Sequence, residues 1–301
     1  MNISKYITKL IFLSVFVVIF CSYSSFAQEK ESVLAKKLNE AIGTETSLLL
    51  WNLSKPDIKP IEFRPDKTYR IASIIKVPIL CALLEKVRNE KGKRPLAYAL
   101  SDKIVIIKED SGAYGGANYL KNGESYTILQ VITDMIGQSG NNSTNALLRW
   151  LGGGDYEKGE EAVNKWLLQN GFRNTCIKRK MGEFPYDKTP PDRENYSNCA
   201  DIAKLLKLIY EHKIINYENS ELILNLLKKN KKYKEIPAGI DDKNVVIANK
   251  VGEIPDYMHD AAIVFDKDNN YILVILTKSP DNKSSYMAKL SKIIWDYYKK
   301  N

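Results

Sequence analysis

The first chemical signal in the chain is Ser73-Ile74-Ile75-Lys76. A serine hydroxyl is a weak nucleophile until a neighbouring base takes its proton. Residues three apart share one face of a helix, so Lys76 reaches the Ser73 oxygen. A lysine serves as that base when burial or a second cation depresses its pKa. Ile71, Ile74, Ile75, Val77 and Ile79 supply apolar burial. The helix N-terminus adds a positive field at Ser73. The same four residues also suit a serine-capped helix start with a surface lysine. Against that stands the cost of holding a charge inside so apolar a run. Two further sets complete a site. Ser139-Gly140-Asn141 offers a hydroxyl to relay a proton and an amide to hold a substrate carbonyl. Lys250-Val251-Gly252 offers a cation, and a glycine that lets a substrate lie along a strand edge.

The surrounding pattern supplies elements to position these groups. Val33, Leu34, Leu38 and Ile42 recur at helical spacing and stop at Gly43. Ser47 to Leu53 and Ile61 to Phe63 read as strands across a proline-marked turn. Ile71 to Val87 is apolar nearly all round and predicts a buried helix, with Pro78 near its start where a missing N–H costs little. Thr127 and Gln130 make a capping box before Ile128, Val131, Ile132, Met135 and Ile136. Ser139 and Asn141 then fall between that helix and the next, Asn145 to Leu151. Residues 178–198 are polar, carry three prolines and have no periodicity, which predicts a functional loop. Helices over 201–211 and 221–229 follow. Val245 to Val251, Asp260 to Phe265 and Tyr271 to Thr277 read as strands, and Ser285 to Tyr298 as a closing amphipathic helix. The expected class is α+β. The two chain ends, 28–70 and 235–301, share one antiparallel sheet covered by helices, with a helical block, 71–234, inserted between.

Composition narrows the setting. The chain of 301 residues carries a net charge of +9, its lysines scattered apart from the run at 228–234. Lys5 and Lys9, the apolar run Ile11 to Phe20 and Ser25-Phe26-Ala27 form an export signal cleaved after Ala27. Ten apolar residues are too few for a membrane span, which takes ~20. Export predicts a periplasmic or secreted protein and argues against nucleic acid as a partner. The basic balance then means solubility, with a mild pull toward anionic cell-wall polymers. Cys81, Cys176 and Cys199 follow the signal. Cys81 reads as a core residue, whereas Cys176 and Cys199 either pair or stay free. With only His212 and His259, no metal site and no cofactor are expected. His259 and Asp260, adjacent on a strand, point to opposite faces, so a serine–histidine–aspartate set is not expected.

Taken in order, the three sets resemble the class A β-lactamases and the related penicillin-binding proteins. The resemblance extends over nearly all of residues 28–301. It includes Asn145 six residues after Ser139, Tyr196-Ser197 before Asp201-Ile202-Ala203, and Ile236-Pro237-Ala238-Gly239 ahead of the Lys250 strand. It implies a monomeric β-lactamase/transpeptidase-like hydrolase acting on a small β-lactam or a cell-wall peptide. Ser73 would be the acylated nucleophile and Lys76 its base or proton relay. Ser139 would pass a proton to the leaving nitrogen, and Asn141 would bind the substrate amide. Lys250 would favour an anionic group. Gly252 would let the strand approach, and the N–H groups of Ser73 and Glu253 would form the oxyanion hole, worth ~3 kcal/mol per donor. Tyr114 is placed like the aromatic that walls the class A site. Arg179 and Glu194 would pair to close the polar loop.

The departures are specific. Gly140 stands where the second motif usually has aspartate, and Val251 where the third usually has a hydroxyl. Asp260 stands where many class A enzymes have an arginine. The loop lacks the usual glutamate-to-asparagine spacing, which leaves Glu183 as the expected acid for activating the hydrolytic water. Two other outcomes stay open beside β-lactam hydrolysis. One is a penicillin-binding D,D-peptidase or esterase with slow β-lactam turnover. The other is a non-catalytic binding module.

Overall fold

The structure, a computed structural model, describes residues 31–90, 95–114, 117–230, 233–278 and 283–300. The export signal and its cleavage point at Ala27 lie outside the described residues. Five strands form one antiparallel sheet: β1 (Thr46–Asn52), β2 (Ile61–Phe63), β7 (Val246–Ile254), β8 (Tyr257–Phe265) and β9 (Tyr271–Lys278), in the order β2-β1-β9-β8-β7. The first two come from one end of the chain and the last three from the other. They join through a β1–β9 ladder from Thr46↔Thr277 to Asn52↔Tyr271. The observed β7 and β8 run longer toward the Ile254–Tyr257 turn than the apolar pattern predicts, because pairing, not hydrophobicity, extends them through Glu253 and Pro255's neighbours.

Period-two alternation divides the sheet between two cores. Leu48 and Leu50 of β1, with Leu273 and Ile275 of β9, face one side. There they meet Leu34 and Leu38 of α1 (31–41) and Met287, Leu290 and Ile294 of α9 (Lys283–Lys300). Leu49, Ile272, Val274 and Leu276 face the other, which packs on the helical block. A sheet covered on both faces explains why β1 and β9 read as unbroken apolar runs.

The middle of the chain holds the remaining elements. They are β3 (Tyr69–Arg70), α2 (Lys76–Glu90), α3 (Leu96–Ala99), β4 (Lys103–Val105), β5 (Ser125–Thr127), α4 (Ile128–Gly137), α5 (Asn141–Leu151), α6 (Tyr156–Gln169), β6 (Tyr196–Ser197), α7 (Cys199–Tyr210) and α8 (Tyr217–Lys228). The block is not purely helical, since β3 pairs with β6 and β4 with β5. Ribbons this short give no alternation to read. The capping box at Thr127 forms as predicted, with Gln130 N donating to Thr127 Oγ1 at 3.2 Å and Thr127 N to Gln130 Oε1 at 2.8 Å. The run expected as one helix from Ile71 begins instead with a 3-10 turn, Ala72–Ile75, before α2.

Candidate active site

Ser73 sits in that 3-10 turn, and Lys76 follows it as the first residue of α2, with its side-chain nitrogen bonded to Ser139 and Asn141 and not to Ser73. Ala72, just before Ser73, is held at φ +49, and Ser139 at φ +62. Left-handed backbone costs a non-glycine residue about 1–2 kcal/mol. The fold thus holds both serines in strained turns.

Lys76 is wholly buried at the head of α2. Its ammonium donates to Ser139 O at 2.6 Å, Ser139 Oγ at 3.3 Å and Asn141 Oδ1 at 2.9 Å. Lys250, buried on β7, donates to the same Ser139 Oγ at 3.0 Å and to Val251 O at 2.8 Å. The Ser139 hydroxyl therefore stands between two ammonium groups. Burial pushes the Lys76 pKa well below the ordinary lysine value, the Lys250 charge pushes it further, and the Asp134 carboxylate opposes both. This combination of desolvation and a like charge makes a lysine available as a base.

The edge strand β7 closes the other side. A Cβ on Gly252 would lie 2.9 Å from Ile71 O and 3.0 Å from Ile74 Cγ1, so only glycine lets the strand pack against the Ser73 turn. Ser73, Ser139, Asn141, Val251 and Glu253 line one cleft of about 490 Å³. Tyr114 joins that wall with 48% of its surface exposed, alongside Tyr119, Phe184 and Tyr186. The last three have no periodic context and went unidentified in the sequence. Asp260 turns away: it is buried against Asn249 Nδ2 at 3.0 Å and Ile236 N at 3.0 Å. His259 Nε2 meets Arg70 O at 2.8 Å.

The polar loop is an ordered wall. Its ends meet through reciprocal bonds of Cys176 and Tyr196, N to O at 2.9 and 3.1 Å. Glu194, almost fully buried, accepts from Arg179 Nη2 at 2.8 Å and Asn195 N at 3.0 Å, and forms an ion pair with Arg70. Cys176 and Cys199 are both free. The Cys199 sulfur instead points to Val274 O of β9 at 3.9 Å, which settles the pairing question left open by the sequence.

Glu183 is not in the cleft. It lines a separate pocket of about 370 Å³ with Glu160, Lys180 and Arg193. Its carboxylate accepts from Lys180 N at 3.2 Å and Arg193 Nη2 at 3.2 Å. The reason is Gly182, at φ +69 and tight against Tyr114 O, which turns the chain so that neighbours 181 and 183 point apart. The residue turned inward is Met181, which lines the cleft with Ser73. Asn145, already noted six residues after Ser139, holds it there. No spacing rule identifies such a contact.

Among the described residues, no group of three His, Cys, Asp or Glu side chains is placed to hold a metal ion, and no helix is long and apolar enough to cross a membrane.

A helix-borne serine and lysine, an interhelical serine and asparagine, and a lysine on the sheet edge define a penicillin-recognising serine hydrolase. The chain belongs to the beta-lactamase enzyme family, which it matches over residues 29–298. It is 22% identical to beta-lactamase VEB-1 of Pseudomonas aeruginosa over 96% of each chain. It is 23% identical to the D-alanyl-D-alanine carboxypeptidase DacF of Bacillus subtilis (strain 168), over 54% of this chain and 39% of that one. Among solved structures, a mutant of PBP-A in an acyl-enzyme complex with penicillin G superposes with a TM-score of 0.76 at 22% identity, covering 90% of this chain and 97% of that one. At such identity the structural likeness speaks for the fold.

Proposed function

We propose that the protein is acylated at Ser73 by β-lactams, or by cell-wall peptides, and releases the acyl group slowly. The carrying observation is the convergence of Lys76 and Lys250 on the Ser139 hydroxyl at the Ser73 cleft, with Asn141 Oδ1 also accepting from Lys76. Neutral Lys76 takes the Ser73 proton as Oγ attacks the carbonyl carbon. The N–H groups of Ser73 and Glu253 receive the oxyanion. Ser139, fed by Lys250 and Lys76, delivers a proton to the leaving nitrogen. Asn141 gives its Oδ1 to Lys76, which leaves Nδ2 for the substrate amide carbonyl. Lys250 attracts a substrate carboxylate without help from Val251 or Asp260, so carboxylate binding is weak.

Deacylation separates two readings. Of the loop residues that line the Ser73 cleft, Met181 cannot activate water, and the one carboxylate, Glu194, is held in ion pairs with Arg179 and Arg70. This favours a penicillin-binding peptidase or esterase, in keeping with the carboxypeptidase and acyl-enzyme likenesses. The second reading is β-lactam hydrolysis of the class A kind, favoured by the family and by the full-length likeness to VEB-1. It requires Lys76 or Ser139 to activate the water. Export to the periplasm or cell exterior, with loss of residues 1–27, and a monomeric state belong to the same proposal.

The test is mass spectrometry of the protein mixed with penicillin G. The expected result is one adduct, mapped to Ser73 and missing from Ser73→Ala. Equal labelling of the two proteins, or none of either, overturns acylation at Ser73.

A further inference from the structure

The turn between α4 and α5 is filled by a carboxylate from outside it. Asp134, near the end of α4, accepts at its carbonyl from Gln138 N at 3.0 Å and Gly140 N at 3.2 Å. Its side chain crosses to α5, where Oδ2 accepts the Ser143 hydroxyl. A Cβ on Gly140 would collide with this Oδ2 and would stand 2.7 Å from Ser143 Oγ. Gly140 has φ −56 and ψ 128, a conformation open to any residue. A side chain at 140 would therefore have to displace the Asp134 and Ser143 side chains; glycine stands here for room, not for backbone freedom, and Asp134 takes the space.

The two neighbours of Gly140 are the residues that Lys76 binds. Ser139 gives it a carbonyl and a hydroxyl, and Asn141 its amide oxygen. The charges of Asp134 and Lys76 act on one another, raising the lysine and lowering the acid. Burial, the largest influence on Asp134, works the other way and raises it. The charged groups around this turn are Lys76 from α2, Lys250 from β7 and Asp134 itself.

We propose that Asp134 is a positioning residue for acylation: through the gap at Gly140 its carboxylate holds the strained Ser139 turn and balances the charge of Lys76. The inference rests on the reading of Ser73 as the acylated residue. A merely structural Asp134 would brace the helix junction without influencing Lys76.

Four variants test it: Asp134→Asn, Asp134→Ala, Gly140→Asp, and Asp134→Ala combined with Gly140→Asp. The first readout is the rate of penicillin G labelling against pH. Asp134→Asn keeps an acceptor for Ser143 but loses the charge, so the acid limb should move down by about 1 pH unit. Asp134→Ala should lose about 10-fold in rate at its best pH through misplacement of the turn. The double variant, which returns a carboxylate from residue 140, should recover to within about 3-fold of the parent because the two sites are coupled. The second readout, Tm, needs no substrate. Gly140→Asp alone should lower Tm by about 5 °C or more, and the double variant should regain most of it. An unmoved pH limb in Asp134→Asn, or a double variant no faster than Asp134→Ala, overturns the proposal. If the parent itself does not label, the acylation reading falls. The exchange is then judged on Tm alone, and failure of the double variant to recover overturns it.

Discussion

Asn145 holds both backbone groups of Met181: its Oδ1 accepts from Met181 N at 2.7 Å, and its Nδ2 donates to Met181 O at 3.0 Å. Asn145 is fully buried on α5 and also donates to Asp110 O at 2.9 Å. Two hydrogen bonds from a buried helical amide tie this loop position to α5. Met181, nearly buried in the core, is thereby fixed among the residues that line the Ser73 cleft.

Met181→Glu tests what this position controls. A carboxylate here would join the lining of the Ser73 cleft at a nearly buried position, where general-base catalysis is worth about 10²–10⁴-fold. The expected outcome is nitrocefin turnover raised by about 10²-fold with the acylation rate little changed. Glu183→Gln, which alters the separate pocket, should leave both rates within about 2-fold, as surface changes away from a site do. An unchanged Met181→Glu, or a Glu183→Gln variant that loses turnover, would return the water-activating role to Glu183.

The depressed Lys76 pKa fixes the sign of the pH dependence. Below that pKa the lysine is charged and cannot accept the Ser73 proton; above it the neutral base is available. Acylation should therefore rise with pH through the lowered value, not through the ordinary lysine range. Lys250→Met removes the neighbouring cation that helps to lower it. The acid limb should then move to higher pH, as stopped-flow labelling would measure. A shift to lower pH would contradict the assignment of Lys76 as the base.

Glu194 joins two parts of the site wall through one carboxylate, with Arg179 on the loop and Arg70 on β3. Removing its charge strands two part-buried guanidinium groups. Glu194→Gln should cost about 3 kcal/mol in urea denaturation, the range for breaking a buried ion pair. A loss below ~1 kcal/mol would place this ion pair with those on the surface.

The residues proposed to carry acylation stand out in the sequence because each rests on regular structure. Ser73 and Lys76 follow helical spacing, Ser139 and Asn141 flank the junction of α4 and α5, and Lys250 sits on an apolar strand. The sheet was legible from its unbroken apolar strands, although the short ribbons β3–β6 and β4–β5 were not. What escaped depends on tertiary contact. Glu183 and Met181 lie two residues apart in a loop without periodicity, and only the left-handed Gly182 decides which faces in. Asp134 reads as a polar position of an amphipathic helix, and its place beside Gly140 shows only once α4 and α5 meet. Whether Cys176 and Cys199 pair likewise turned on geometry.

The most direct measurement of the central claim is the lifetime of the Ser73 adduct. The protein is labelled with penicillin G, freed of excess drug, and its mass followed with time. The expected adduct persists long after labelling is complete, because Met181 offers no base to the water and Glu194 is engaged by Arg179 and Arg70. Return to the unmodified mass within the mixing time, with product released on each cycle, would contradict it.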